Sequence, residues 1–272
     1  MTKIYIIKAN GEKAVFNPNK VISTCMRAGA NSELATEIAQ KTENQLRNGM
    51  TTKEVYRIVL SELSKEGGKA IMHRYRLKEA IMLLGPAGFR FQTYVGQILS
   101  KYDYDIKAIG SIFDGKCVKH EIDIVANSKP SNKRFMIECK YHNRRGSYTG
   151  LKESLYTHAR FMDLIHLFDS EMLVSNTKVS NDTLQYAQCI GQKLLCWRYP
   201  EGHGLEEMIE EKDLYPITIL KLNSKELHAF SKNNMMVAKE ILSIDSKKLS
   251  NKIAIPQARL ERLQNIVGEI IH

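Results

Sequence analysis

Asp123, Glu138 and Lys140 are the residues whose types and spacing point most directly to chemistry. Asp123 lies in the run His120-Glu121-Ile122-Asp123-Ile124, and Glu138 and Lys140 close the run Phe135-Met136-Ile137-Glu138-Cys139-Lys140. Residues i and i+2 of a strand share a face. Glu121 therefore pairs with Asp123, and Glu138 with Lys140, while Ile122, Ile137 and Cys139 point the other way into a core. Fourteen residues separate Asp123 from Glu138, enough for a loop between neighbouring strands. If those strands pair, two carboxylates and an amine meet on one face about 5–7 Å apart. A hard divalent cation such as Mg²⁺ takes one or two carboxylates, with water and phosphate oxygens completing its shell. Such a cation lowers the pKa of its bound water. A lysine beside it can hold the attacking water and offset charge as a phosphoryl centre expands. Phosphodiester hydrolysis needs on the order of 20 kcal/mol of barrier lowering, which metal and lysine together can supply. Two strand salt bridges on a surface are the plain alternative for so short a pattern.

The elements that must position these groups are legible around them. A helix is expected over about 87–102, with Phe91, Val95, Ile98 and Leu99 on one side. Strands follow at about 105–113 and 117–126, joined by Asp114-Gly115, and RFMIECK is a third. A helix at 149–164, the strand EMLVS, a helix at 180–191, the strand KLLCW and a short helix near 204–211 complete an alternating order. That order means an α/β layer fold with a mixed central sheet flanked by helices. Ahead of it, residues 3–16 read as a hairpin turning at Asn10-Gly11. Four helices follow: one opened by Asn17-Pro18, one capped by Ser32, one by a Thr51/Glu54 capping box, and one through Ile71, Tyr75 and Leu84. Gly85-Pro86-Ala87-Gly88 marks a boundary. The expected domains are 1–84, 85–216 and a small helical tail, 217–272, with helices at 224–231, 235–242 and from Pro256 to the end. The amphipathic stripe of the last helix, with Lys247, Lys248, Lys252, Arg259 and Arg262 nearby, fits a DNA-contact module or a helix pair docked on the middle domain.

Across its 272 residues the chain carries a net charge of +10, distributed unevenly. Residues 1–84 hold 14 Lys and Arg against 8 Asp and Glu, and residues 217–272 hold 9 against 5, while the middle balances at 17 against 17. Within that neutral middle, Lys129, Lys133, Arg134, Lys140, Arg144 and Arg145 face only Glu138 between positions 129 and 145. A local excess of this kind suits a polyanion, although a solvated basic loop has the same composition. No apolar run is long enough for a membrane helix, and the N-terminus lacks signal-peptide features. Five cysteines without a CxxC pair read as buried thiols in a reducing compartment, so a cytoplasmic protein is expected. GxSxG, P-loop and HExxH patterns are absent.

Two resemblances sharpen this. GFRFQTYVGQILSKYDYDI, HEIDIVA, FMIECKYHNRRG and EMLVSNTKVSNDTLQYAQCIGQKLLCW together resemble the Mrr-like branch of the PD-(D/E)xK restriction-endonuclease superfamily, over about 88–216. The resemblance implies Asp123 and Glu138 as Mg²⁺ ligands, Lys140 as the catalytic lysine and double-stranded DNA as substrate. Gln92 stands where many relatives carry a glutamate. VKHE replaces a glycine-rich approach to the first acid and leaves Glu121 as an extra ligand. His142 is a candidate phosphate contact, and Lys133, Arg144 and Arg145 are candidate DNA contacts.

IIKANGEKAVFNPNKVISTCMRAGA, GMTTKEVYRIVLSEL and HRYRLKEAI resemble the ATP-cone over about 3–84. That likeness implies ATP or dATP as a regulatory ligand, with Lys8 and Lys20 on its phosphates and Tyr56 available to stack on the base. Ala9 departs from the family's arginine. The combined expectation is an Mg-dependent DNA endonuclease, a homo-oligomer of two or more copies, governed by a bound nucleotide. A nucleotide-responsive DNA-binding protein without turnover and a junction or repair nuclease are the alternatives.

Overall fold

The computed structural model describes residues 3–85, 88–144 and 146–271, excluding the side chains of 88 and 89. It divides into two compact units: Met1–Ala80, Ile219–Lys221 and Ile241–His272 form the first, and Ile81–Thr218 and Leu222–Glu240 the second.

The first unit begins with an antiparallel hairpin, β1 (Tyr5–Ile7) and β2 (Lys13–Val15). Gly11 turns it at φ +84°, a conformation that costs glycine little. Helix α1 (Pro18–Arg27) is capped by the Asn17 side chain, which accepts the Asn19 N–H. Helix α2 (Ser32–Gln45) is capped by Asn31, one residue before the expected Ser32, because the Asn31 Oδ1 accepts the Leu34 N–H at 2.8 Å. In α3 (Thr52–Glu62) the reciprocal Thr51/Glu54 capping box is present. The fourth helix is interrupted rather than continuous. A π-helical turn at Leu63–Gly67 leads to Gly68 at φ +77°, then α4 (Gly68–Tyr75) and α5 (Leu77–Met82). Phe16, Val21, Cys25, Ile38, Val59 and Leu63 form the core of this unit.

In the second unit, α6 (Gly88–Ser100) leads into β3 (Tyr104–Asp114), β4 (Lys119–Ser128) and β5 (Arg134–Lys140), and the short β6 (Tyr148–Thr149) precedes α7 (Leu151–Asp163). Then come β7 (Ser170–Ser175), β8 (Lys178–Val179), α8 (Asn181–Ile190), β9 (Lys193–Leu195), α9 (Leu205–Glu211) and α10 (Ser224–Lys232). The main sheet has five strands in the order β3-β4-β5-β7-β9. Its β3, β4 and β5 pair antiparallel, as hairpin neighbours can, while β5, β7 and β9 run parallel across the crossovers α7 and α8. The fold is thus a mixed α/β sheet flanked by helices. Helix α6 lies close against the sheet at Gly96, where an added Cβ would come within 3.1 Å of Ile109 Cδ1. One turn earlier on the same face is Gln92.

The expected tail is dealt to both units. Residues 222–240, with α10, belong to the second, and α11 (Ser246–Ile253) and α12 (Gln257–Ile270) belong to the first. Leu260, Leu263, Val267 and Ile270 bury the stripe of α12, and Arg74 of α4 donates to the Ile270 carbonyl at 2.8 Å. Docking of this helix on the middle domain is therefore corrected: its apolar face is used within the first unit. The helix expected over 235–242 is a 3-10 turn at Ala238–Ser243, and α11 was not foreseen. The cysteine expectation also needs correction, since Cys25 and Cys196 are buried but Cys117 and Cys189 are exposed. No described helix is long and apolar enough to cross a membrane.

Candidate active site

The ladder between β4 and β5 runs from Asn127 opposite Arg134 to Ile124 opposite Ile137 and goes no further. One step on, where Asp123 and Glu138 come level, the Asp123 Oδ2 accepts the Cys139 N–H at 2.7 Å. A carboxylate thus replaces the backbone partner that would have closed the strands. The other neighbour of β4 is irregular at the same level. Gly110 falls between the registered pairs Ile109–Ile124 and Ser111–Ile122 and stands at φ +61°. An added Cβ there would lie 3.3 Å from Gln92 Nε2 and 4.0 Å from Glu121 Oε1. The amide from α6 and the second acid of β4 therefore reach the same spot.

A cavity of about 570 Å³ opens at this irregularity. It is lined by Gln92, Gly110, Lys119, His120, Glu121 and Asp123 together with Tyr156 and Arg160 of α7, and Glu138 and Lys140 stand behind that lining rather than in it. Glu138 is only 5% exposed. Its two oxygens accept from Lys140 Nζ at 2.6 Å and from Arg160 Nη1 at 2.5 Å. Burial, and then the negative charge of Glu138, push the Asp123 carboxyl up to about 6, against the opposing pull of the Cys139 N–H, Lys140 and Arg160. Asp123, Glu138 and Lys140 are brought together, as the strand pattern predicts, with Arg160 as a fourth member.

The donor set suits a hard cation. Among the described residues Asp123 Oδ1 carries no hydrogen bond and Asp123 forms no ion pair, and Glu121 is exposed on the same cavity. Glu138 has each oxygen engaged once, and a carboxylate oxygen offers two lone pairs. Among the described residues no cluster of three or more His, Cys, Asp or Glu side chains is disposed around a point. Mg²⁺ asks for fewer, usually one or two carboxylates with water.

The remaining expected residues are placed elsewhere. The His142 ring lies 3.2 Å from Thr149 Oγ1, beside the buried hydroxyls of Ser175 and Thr177, and does not line the cavity. Arg144 is exposed beyond the site end of β5, and Arg145 lies outside the described residues. Lys133 is at the opposite end of β5, about 17 Å from Glu138 at strand rise. In the first unit Lys8 is paired with Glu12 at 2.8 Å and Lys20 is exposed on α1. Tyr56 donates to Glu79 at 3.0 Å and has one face stacked on Tyr75, with ring centroids 5.6 Å apart, so that face is closed to a base.

Arg160, Tyr156 and Gly110 escaped the sequence reading. The signal for the first two was their four-residue spacing on α7, continued by Lys152. For Gly110 there was none, since a positive φ inside a strand is not written in composition.

A family model described as ATP cone domain matches residues 4–80, and one described as AF1548-like, C-terminal, matches residues 215–271. An uncharacterized protein of Archaeoglobus fulgidus is 40% identical over 156 residues, which are 57% of this chain and 87% of that protein. A solved structure titled as the crystal structure of protein of unknown function AF1548 aligns with a TM-score of 0.61 at 35% identity, covering 67% of this chain and 97% of the other. Neither matched description nor either relative's title names a nuclease. The chain belongs to the AF1548-like family and carries an ATP cone at its N-terminal end.

Proposed function

We propose that the second unit hydrolyses DNA phosphodiester bonds with a divalent cation, Mg²⁺, held by Asp123 and Glu138, and that ATP or dATP bound at the cone governs it. The observation that carries this reading is the half-buried Asp123 carboxylate. It interrupts a sheet ladder, faces a second carboxylate, is raised to about 6 and opens on a cavity edged by cations. A fold gains no stability from such an arrangement, and perturbed acids in clefts are characteristic of functional sites.

When bound, the cation supplies an activated water and charge neutralisation at the phosphate. The chain's own residues have distinct tasks. Arg160 and Lys140 hold and orient the Glu138 side chain. Lys140, whose side chain is 30% exposed, is the donor able to leave Glu138 for the attacking water or a phosphate oxygen. Gln92 and Glu121 bracket the space beside Gly110 and orient water there. Arg144 and the net charge of +10 favour a polyanionic substrate. The ATP-cone match supports an adenine nucleotide as ligand of the first unit. Cutting both strands of a duplex in one encounter uses two such sites, so the proposal includes two or more copies of the chain.

The direct test incubates supercoiled plasmid with the protein and Mg²⁺, with and without ATP, beside Asp123→Ala. The proposal expects nicking by the wild type alone. Equal nicking by both proteins removes the assigned site. A second reading, DNA binding without turnover, draws on one observation: both Glu138 oxygens are already held by cations. Binding that persists in EDTA, with no cleavage under any divalent metal, favours it.

A further inference from the structure

Tyr156 is an exposed aromatic at the mouth of the cavity, with 54% of its surface open to solvent. Large aromatic rings are normally buried, where their area is worth most. This one is held in place by charge. Lys140 Nζ and the Arg160 guanidinium carbon each lie 5.4 Å from the ring centroid, within cation–π range. Both cations also bind the two oxygens of the single carboxylate Glu138, at 2.6 and 2.5 Å. The shared carboxylate keeps the two cations close to each other beside the ring, which still leaves about half of its surface open.

Helical geometry extends the feature. Lys152, Tyr156 and Arg160 recur at intervals of four on α7, so they share one stripe about 12 Å long that ends at the cavity. Lys152 is exposed at the outer end and Arg160 is 9% exposed at the inner end. Cation, exposed aromatic ring and cation in line are the elements of a single-strand nucleic-acid track, in which bases stack on rings and phosphates follow the charges. A continuous duplex keeps its bases stacked on each other and offers none to a protein ring.

We infer that Tyr156 is a stacking platform for an unpaired nucleobase next to the phosphate being cut, so that the preferred substrate is DNA carrying a single-stranded flap or branch. Lys152 contacts a backbone phosphate further along the same strand. This rests on the nuclease reading for the word "cut" but concerns binding, and the two fail separately.

The test uses the full chain in EDTA with a fluorescently labelled duplex and the same duplex bearing an unpaired flap. A fluorescent adenine analogue is placed at successive flap positions. The wild type should bind the flap about tenfold more tightly than the duplex, within what one stacked base contributes. It should also quench the analogue at one position. Tyr156→Ala should lose both preference and quenching, while Tyr156→Phe and Tyr156→Trp retain them; melting curves of all four proteins exclude misfolding as the cause. Equal binding of flap and duplex, no binding of either, or equal quenching by wild type and Tyr156→Ala overturns the inference. Plasmid nicking that survives Asp123→Ala, with flap preference intact, would overturn the nuclease reading and leave this one standing.

Discussion

Replacing Asp123 by Asn should make the metal-free protein more stable at neutral and alkaline pH. The native carboxyl is raised from 3.8 to about 6, so between those values the folded state holds a proton that the unfolded chain has lost. Stability of the wild type therefore falls as pH rises through that window and stays lower above it. A rise of that size corresponds to about 3 kcal/mol, an upper bound for a partly buried acid. Asn keeps the acceptor for the Cys139 N–H, which is 2.7 Å away, and removes the repulsion with Glu138. Its amide must still find a partner, so a gain of about 2 kcal/mol is expected, or about 4–8 °C in melting temperature for a unit of this size. Circular-dichroism melts in EDTA from about pH 3.5 to about pH 8.5 provide the assay. The two proteins should coincide near the acid end and separate above about pH 6. Added Mg²⁺ should then raise the wild type and leave Asp123→Asn unmoved. An Asn variant equal to or less stable than wild type at alkaline pH refutes the claim that Asp123 is held at an electrostatic cost.

Arg160→Leu should destabilise by about 3 kcal/mol, the lower end for breaking a buried pair because Lys140 still holds Glu138; denaturant melts of Arg160→Leu and of Arg160→Leu with Glu138→Gln should show the second change restoring part of the loss. Gly110→Ala places a side chain at φ +61° and 3.3 Å from Gln92 Nε2, so about 1–2 kcal/mol of stability should be lost along with cavity volume, measured by thermal melts and by metal affinity. Tyr56→Phe removes the hydroxyl bonded to Glu79 and should cost about 1 kcal/mol, with ATP-induced thermal stabilisation unchanged if the base lies elsewhere. ATP at a hundredfold its Kd should stabilise the first unit by about 2.7 kcal/mol, and Lys20→Ala should abolish that shift.

Much of the second unit was legible because its signals are periodic and local. The alternation in HEIDIVA and RFMIECK placed Asp123, Glu138 and Lys140 on strands, and a fourteen-residue separation allowed those strands to be neighbours. Sequence could not say that the ladder stops at Ile124–Ile137, because there a side chain bonds to the backbone that would have continued it. Arg160 was missed because its only signal, the four-residue spacing with Tyr156 and Lys152, also fits a solvated stripe until the helix is laid on the sheet. The tail shows the opposite failure. Its stripe was clear, but Leu260, Leu263 and Val267 give no hint of which apolar surface they cover, and α4 proved to be the answer. Lys133 and Arg144 looked equivalent as charges in one basic run, yet a seven-residue strand separates them and puts only Arg144 at the site end.

The most direct measurement is Mn²⁺ binding by electron paramagnetic resonance at mildly alkaline pH, where the free aqueous ion gives a signal that binding removes. The account predicts one ion bound per chain by the wild type, weakened binding by Glu138→Gln and none by Asp123→Asn. A wild-type protein that leaves the free Mn²⁺ signal undiminished, or an Asp123→Asn variant that depletes it equally, would contradict it.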